Sequence, residues 1–169
     1  MPDIFDLGEI KMSIENVKAF FEKEGIAHRV LELGQSSATV ELAAAALGTE
    51  CARIAKTLSF LVNGTPVLIV CAGDVRVDNA KYKSRFGTKA KMLTADELSE
   101  LVGHAPGGVC PFALKCGTEV YLDNSLQRFE TVFPACGSSN SAIELTVSEL
   151  EKYSGYLGWV DVTKEIPKN

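Results

Sequence analysis

Apolar residues recur at helical spacing early in the chain, where Ile14, Val17, Phe20 and Phe21 share one face and the run stops at Gly25. Met12-Ser13-Ile14-Glu15-Asn16-Val17 supplies a start for that helix, with Ser13 as N-cap and Met12 stapled against Val17, although N3 is Asn16 and not an acid. The cap predicts that the folded domain spans 12–169 and that residues 1–11 are an N-terminal extension. Two further starts are complete capping boxes with staples, Thr94 with Glu97 inside Leu93–Leu98 and Ser148-Glu149 behind Thr146 inside Leu145–Leu150. An Ala-rich helix is expected from about Thr39 to Leu47, closed by Gly48. Strand-like runs fall at 27–33, 54–62, 66–72, 119–122, 130–135, 142–146 and 157–162. The pair 54–62 and 66–72 flanks Asn63-Gly64, whose tolerance of positive φ predicts a hairpin. Helices and strands mix without regular βαβ alternation, so the expected class is α+β around a mixed sheet.

A chain of 169 residues fits one domain with a sizeable core. Its longest apolar run, Val67 to Ala72, is too short to cross a bilayer. No charged-then-apolar leader is visible, and the five cysteines lack CxxC pairing, which together predict reduced thiols in the cytoplasm. His28 and His104 stand far apart without a cluster of acids and thiols, so neither a metal nor another cofactor is expected. A net charge of −5 argues against a general nucleic-acid coat protein. It leaves room for an enzyme that grips only the end of an RNA. Positive charge is bunched at Lys81, Lys83, Arg85, Lys89 and Lys91, a pattern that most often marks a solvated face.

Lys56 breaks the pattern of its strand. In Ile54–Val62 the even positions are Ile54, Lys56, Leu58, Phe60 and Val62, so alternation puts an ammonium on an apolar face. Such a charge must snorkel to water or meet an electronegative partner in a pocket. Ala105-Pro106-Gly107-Gly108-Val109-Cys110-Pro111-Phe112 is a rigidly framed loop whose bare backbone N–H groups suit an anion or oxyanion, though most such loops are plain turns. Cys136-Gly137-Ser138-Ser139-Asn140-Ser141 is either a ligand wall or a connection. Cys110 is the one tempting thiol, but no histidine stands beside it in sequence, and nucleophilic catalysis reads poorly.

Taken in order, Ser37–Gly48, Ile54–Leu58, Val75–Asp78, the Gly107–Phe112 loop and the loop from Gly137 to Ala142 resemble the YbaK/prolyl-tRNA-editing-domain family over about residues 13–163. The resemblance implies a single α+β domain, with a mixed, mostly antiparallel sheet or partly closed barrel surrounded by helices. It implies a free-standing deacylase that removes a wrongly attached amino acid from tRNA, using water and no protein nucleophile. Lys56 and Gly107 are then the expected catalytic residues, with Thr39, Gly108, Pro111, Gly137 and Ser138 as substrate-binding ones. The implied partner is a tRNA acceptor end carrying its amino acid, with room for a synthetase in trans and no membrane. A non-catalytic aminoacyl-tRNA or nucleotide binding module of the same fold is the alternative, and which amino acid is removed stays open.

Overall fold

The computed structural model of the chain describes residues 4–167. Helix α1 covers Ile4–Lys23 and ends at Gly25, which takes the left-handed conformation that closes many helices. Ser13 therefore lies inside the helix and does not cap it; the helix continues through the boundary expected at residue 12. Its hydroxyl is turned to His104. The staple expected of Met12 lies outside the described side chains.

The chain then runs through β1 (Leu31–Glu32), α2 (Val40–Leu47), β2 (Ile54–Val62), β3 (Thr65–Ala72), β4 (Val75–Val77) and α3 (Asn79–Phe86). After these come α4 (Ala95–Glu97), β5 (Glu119–Asp123), β6 (Thr131–Pro134), β7 (Ser141–Ala142) and β8 (Leu145–Thr146). The series closes with α5 (Val147–Ser154), β9 (Gly158–Val160) and β10 (Thr163–Glu165). The capping boxes form as the sequence predicts, at Thr94 with Glu97 and at Thr146 with Glu149. α4 is a single turn, prolonged as a wider π turn over Leu98–Val102. The Asn63-Gly64 turn has φ of 49° and 85°, the doubly positive geometry that keeps a two-residue hairpin in twist.

The main sheet has the order β8-β6-β2-β3-β5-β9 and is mixed. β2 pairs antiparallel with β3 from Ala55↔Ala72 to Val62↔Thr65, and β6 antiparallel with β8. The β2–β6, β3–β5 and β5–β9 pairs are parallel. Antiparallel ladders β1–β7 and β4–β10 flank it. The strand expected over 27–33 shrinks to a helical turn at Ala27–Arg29 and the two residues of β1, and that over 142–146 divides into β7 and β8.

Side-chain alternation divides the core. Leu68 and Val70 of β3 pack with Val17 and Phe21 of α1 and Leu150 of α5 on one face. Val67 and Ile69 point the other way, to Phe60 of β2 and Tyr82 of α3. Ala43 and Ala44 of α2 cover Ile54 at the start of β2. The even positions of β2 thus meet α2 at Ile54 and α3 at Phe60. Lys56 comes between them.

Candidate active site

The residues beside Lys56 form a cavity of about 170 Å³, lined by α2, the first turn of β2, the Gly107 loop and the β6–β7 connection. Its walls are mainly small and apolar, including Ala38, Ala43, Ile54, Phe133, Ala135 and Ala142. Polar groups come from Ser37, Thr39, Lys56, Thr57, Gly107 and Ser141. Among the described lining residues Lys56 is the only charged one, and none is a carboxylate, histidine or cysteine. A positive charge above an apolar floor, with no carboxylate among the described lining residues, favours an electronegative group.

Lys56 is half-buried, and its ammonium donates to the carbonyl of Val75 at the start of β4. That bond uses one of three donors and fixes the head group where the strand delivers it. Beside it, the Thr57 hydroxyl is buried in the cavity wall and has no hydrogen-bond partner among the described residues. A buried hydroxyl without a partner is costly.

Ala105-Pro106-Gly107-Gly108 forms a turn in which the Gly108 N–H donates to the Ala105 carbonyl over 3.2 Å. Proline at the second position and φ of +90° at Gly107 are the signature of a type II turn. The Gly108 donor is therefore spent on the turn, and of the two expected oxyanion donors only Gly107 lines the cavity. Gly108 serves packing instead. A Cβ there would lie 2.6 Å from the Ser138 nitrogen and 2.7 Å from the Gly137 carbonyl carbon. Gly137 in turn has φ of +94° and leaves no room for a Cβ, which would meet the Ser13 carbonyl oxygen at 2.8 Å. Three backbones, from α1, the late loop and the Gly107 loop, are stacked without side chains between them.

Among the residues expected to bind substrate, Thr39 reaches the cavity, although its hydroxyl also accepts from Leu42 N–H as the cap of α2. Gly108 and Gly137 lie behind the wall as just described. Ser138 is buried, and its hydroxyl is engaged with Asn140 Oδ1 at 2.9 Å and Ser141 Oγ at 2.8 Å. Pro111 lines a separate groove on the α1–α5 side with Phe20, Lys115 and Tyr153. Sequence reasoning missed Thr57, and it reached Ser141 only as part of the Cys136–Ser141 stretch. Thr57 follows the anomalous Lys56 directly, but nothing in an apolar strand pattern marks a hydroxyl that lacks a partner.

Behind the Gly107 loop sits a buried polar cluster. His104 Nδ1 meets the Ser13 hydroxyl, and Nε2 lies 2.8 Å from the Phe112 carbonyl. Cys110 Sγ is 3.5 Å from the same Nε2, so a histidine does stand beside this thiol, contrary to the reading from sequence distance. A thiolate is nevertheless disfavoured. Burial pushes the Cys110 thiol up to about 12 and lowers the pKa of His104, which keeps both neutral. Cys110 is completely shielded from solvent. The described residues contain no group of three or more His, Cys, Asp or Glu that could hold a metal ion, and no helix is long and apolar enough to cross a membrane.

A family model described as an aminoacyl-tRNA editing domain matches residues 35–153. The uncharacterized protein YwhH of Bacillus subtilis (strain 168) is 52% identical over 155 residues, spanning 91% of this chain and 99% of that protein. The proline--tRNA ligase of Staphylococcus aureus (strain Newman) is 35% identical over 82 residues, which make up 48% of this chain and 14% of the ligase. Among solved structures, that of a candidate trans-editing enzyme for prolyl tRNA synthetase superposes with a TM-score of 0.81 at 31% identity. The match covers 90% of this chain and 97% of that one.

Proposed function

The chain belongs to the aminoacyl-tRNA editing domain family, and from that premise we propose that it is a free-standing, cytoplasmic deacylase of mischarged tRNA. The observation that carries this reading is the cavity that joins Lys56 to Gly107, with no acid, imidazole or thiol among its described lining residues. An aminoacyl ester is already activated. Its hydrolysis needs a held carbonyl, a water and stabilisation of the oxyanion, and it can proceed without a covalent intermediate.

In this mechanism the Lys56 ammonium, anchored on Val75, uses its remaining donors to hold an electronegative oxygen of the aminoacyl-adenosine end. The Gly107 N–H faces the oxygen on which negative charge develops as water adds to the carbonyl. The free ribose hydroxyl next to the ester orients that water, and the departing ribose oxygen takes up the proton that the water loses. Ser37 and Thr39 supply hydrogen bonds to the amino group or the ribose. A cavity of about 170 Å³ with alanine and phenylalanine walls is the space open to the acyl group. A synthetase that supplies the mischarged tRNA is the natural partner in trans.

Release of free amino acid from a panel of mischarged tRNAs tests the proposal. Turnover is expected on at least one tRNA bearing a small residue, with wild-type protein in catalytic amounts. Binding of aminoacyl-tRNA without release across the panel would overturn it in favour of a non-catalytic binding module.

A further inference from the structure

The five cations at Lys81, Lys83, Arg85, Lys89 and Lys91 are all exposed, and no acidic residue interrupts them, in a chain whose net charge is −5. The fold uses two of them. Lys81 Nζ donates to Asp161 Oδ1 at 3.1 Å and to the Thr163 carbonyl at 2.9 Å. The Arg85 guanidinium lies over the rings of Phe86 and Tyr121, 5.2 Å from each centroid. Lys91 sits near the Glu97 carboxylate, whose pKa it helps to lower. The ammonium groups of Lys83 and Lys89 make no hydrogen bond or ion pair with the described residues. With Asn79, Ala80 and Ala90 they frame a depression of about 510 Å³ that contains no acid.

The depression stands on the same face of the sheet as Lys56. α3 is seated by Tyr82 against Phe60, with ring centroids 5.0 Å apart. Phe60 is four residues beyond Lys56 on β2, a distance of about 13 Å at strand rise. The opposite face is covered by α1 and α5. A strand of nucleic acid whose end occupied the Lys56 cavity would thus have free ammonium groups beside it on one side of the sheet.

We propose that Lys83 and Lys89 form a docking surface for the ribose-phosphate backbone of the RNA whose 3′ end enters the Lys56 cavity. The inference rests on the aminoacyl-tRNA reading above and assigns where the remainder of that RNA lies. Two hydrated, unpaired ammonium groups on long stems suit phosphates as point charges and impose no base sequence. Displaced counterions then make the affinity depend steeply on salt. The shallow, acid-free shape between the two lysines leaves space for a backbone to pass.

The test is equilibrium binding of an uncharged RNA hairpin that ends in a single-stranded 3′ extension, followed by fluorescence anisotropy across a salt series. Wild-type protein is compared with the Lys83→Gln/Lys89→Gln variant and with a charge-matched Lys23→Gln/Lys152→Gln control on the opposite face, all checked for equal melting temperature. The Lys83/Lys89 variant is expected to bind about tenfold more weakly at low salt. Its slope of log affinity against log salt should flatten by about 1.5, as removal of two phosphate contacts requires. The control should match wild type. Equal losses in both variants, wild-type binding by the Lys83/Lys89 variant, or no binding by wild type would overturn the proposal. Loss of polyglutamate binding with unchanged RNA affinity would assign the surface to an acidic protein instead. Because the hairpin carries no amino acid, a failure of deacylation leaves this measurement standing and tells the two readings apart.

Discussion

Ser13 and His104 stand 91 residues apart in the chain and share a buried hydrogen bond that fastens α1 to the loop carrying Gly107. The proton positions follow from the partners. The Phe112 carbonyl can only accept, so Nε2 of His104 carries the hydrogen directed at it, and Nδ1 must accept from the Ser13 hydroxyl. Both ring nitrogens are occupied in the neutral state. The imidazole therefore holds the loop and is not free to take a proton from Cys110.

A pH dependence follows. Burial lowers the pKa of His104 below its ordinary 6.5, so the unfolded chain binds a proton that the folded chain refuses. The stabilising contribution is complete above about pH 6.5 and declines as the pH falls below it. His104→Gln should be less stable at pH 8 but should lose less between about pH 6.5 and 5, before carboxylates dominate. Thermal melting of both proteins at three pH values checks this. Parallel slopes would assign the wild-type acid sensitivity to other groups.

Gly108→Ala should separate the two loops. The added methyl would sit 2.6 Å from the Ser138 backbone nitrogen, and backbone cannot rotate aside as a side chain does. We expect a loss of about 1–3 kcal/mol in stability and at least tenfold in kcat/KM for deacylation. At Gly64 an Ala substitution meets no atom within 4 Å and should cost about 1 kcal/mol for its positive φ alone. Denaturant titration of the pair separates crowding from backbone strain.

Lys56→Ala should leave the fold nearly intact and remove most deacylation. Among the described residues Lys56 has no ion-pair partner, only the Val75 carbonyl, so its removal strands no carboxylate and should cost about 1 kcal/mol or less. A fall of at least about a hundredfold in kcat/KM, with melting within a few degrees of wild type, is the expected pair of results. Wild-type turnover in this variant would remove Lys56 from the mechanism.

Cys110→Ser should keep turnover within about threefold of wild type. The thiol is neutral and fully enclosed, and a serine hydroxyl can donate to the same Phe112 carbonyl. A loss of about a hundredfold or more in kcat from a folded variant would revive covalent catalysis.

Much of this was legible where local chemistry decides the outcome. Asn63-Gly64 could only turn one way, and the Thr94 and Thr146 boxes close as written. The parity of Lys56 was visible because strand alternation is a two-residue rule. Helix α3 was not legible, because its only buried residue is Tyr82 and the surrounding lysines read as a charge run. Its cap, Asp78, accepts from Ala80 and Lys81 N–H, a signal that a basic segment obscures. Ser13 misled for a related reason. A serine followed by an apolar period resembles a cap whenever its true partner, here His104, is remote in sequence. The roles of Gly108 and Ser138 as braces depend on backbone contacts between distant loops, which residue type alone does not specify.

The stacking of Ser13, Gly137 and Gly108 backbones has a consequence for how substrate preference can diverge in such a domain. Main chain packed this closely behind the cavity wall admits no side chain at Gly108 or Gly137, so substitution there is resisted. Among the wall residues, Ala43 sits on α2 against Ile54 and Phe133 sits on β6, whereas Ala135 and Ala142 flank the loop that carries Gly137. Enlarging Ala43 should narrow the cavity from the α2 side, and trimming Phe133 should widen it. Under the proposed deacylase reading, the same scaffold would be retuned from one acyl group to another by such wall substitutions, with Lys56 and Gly107 left in place.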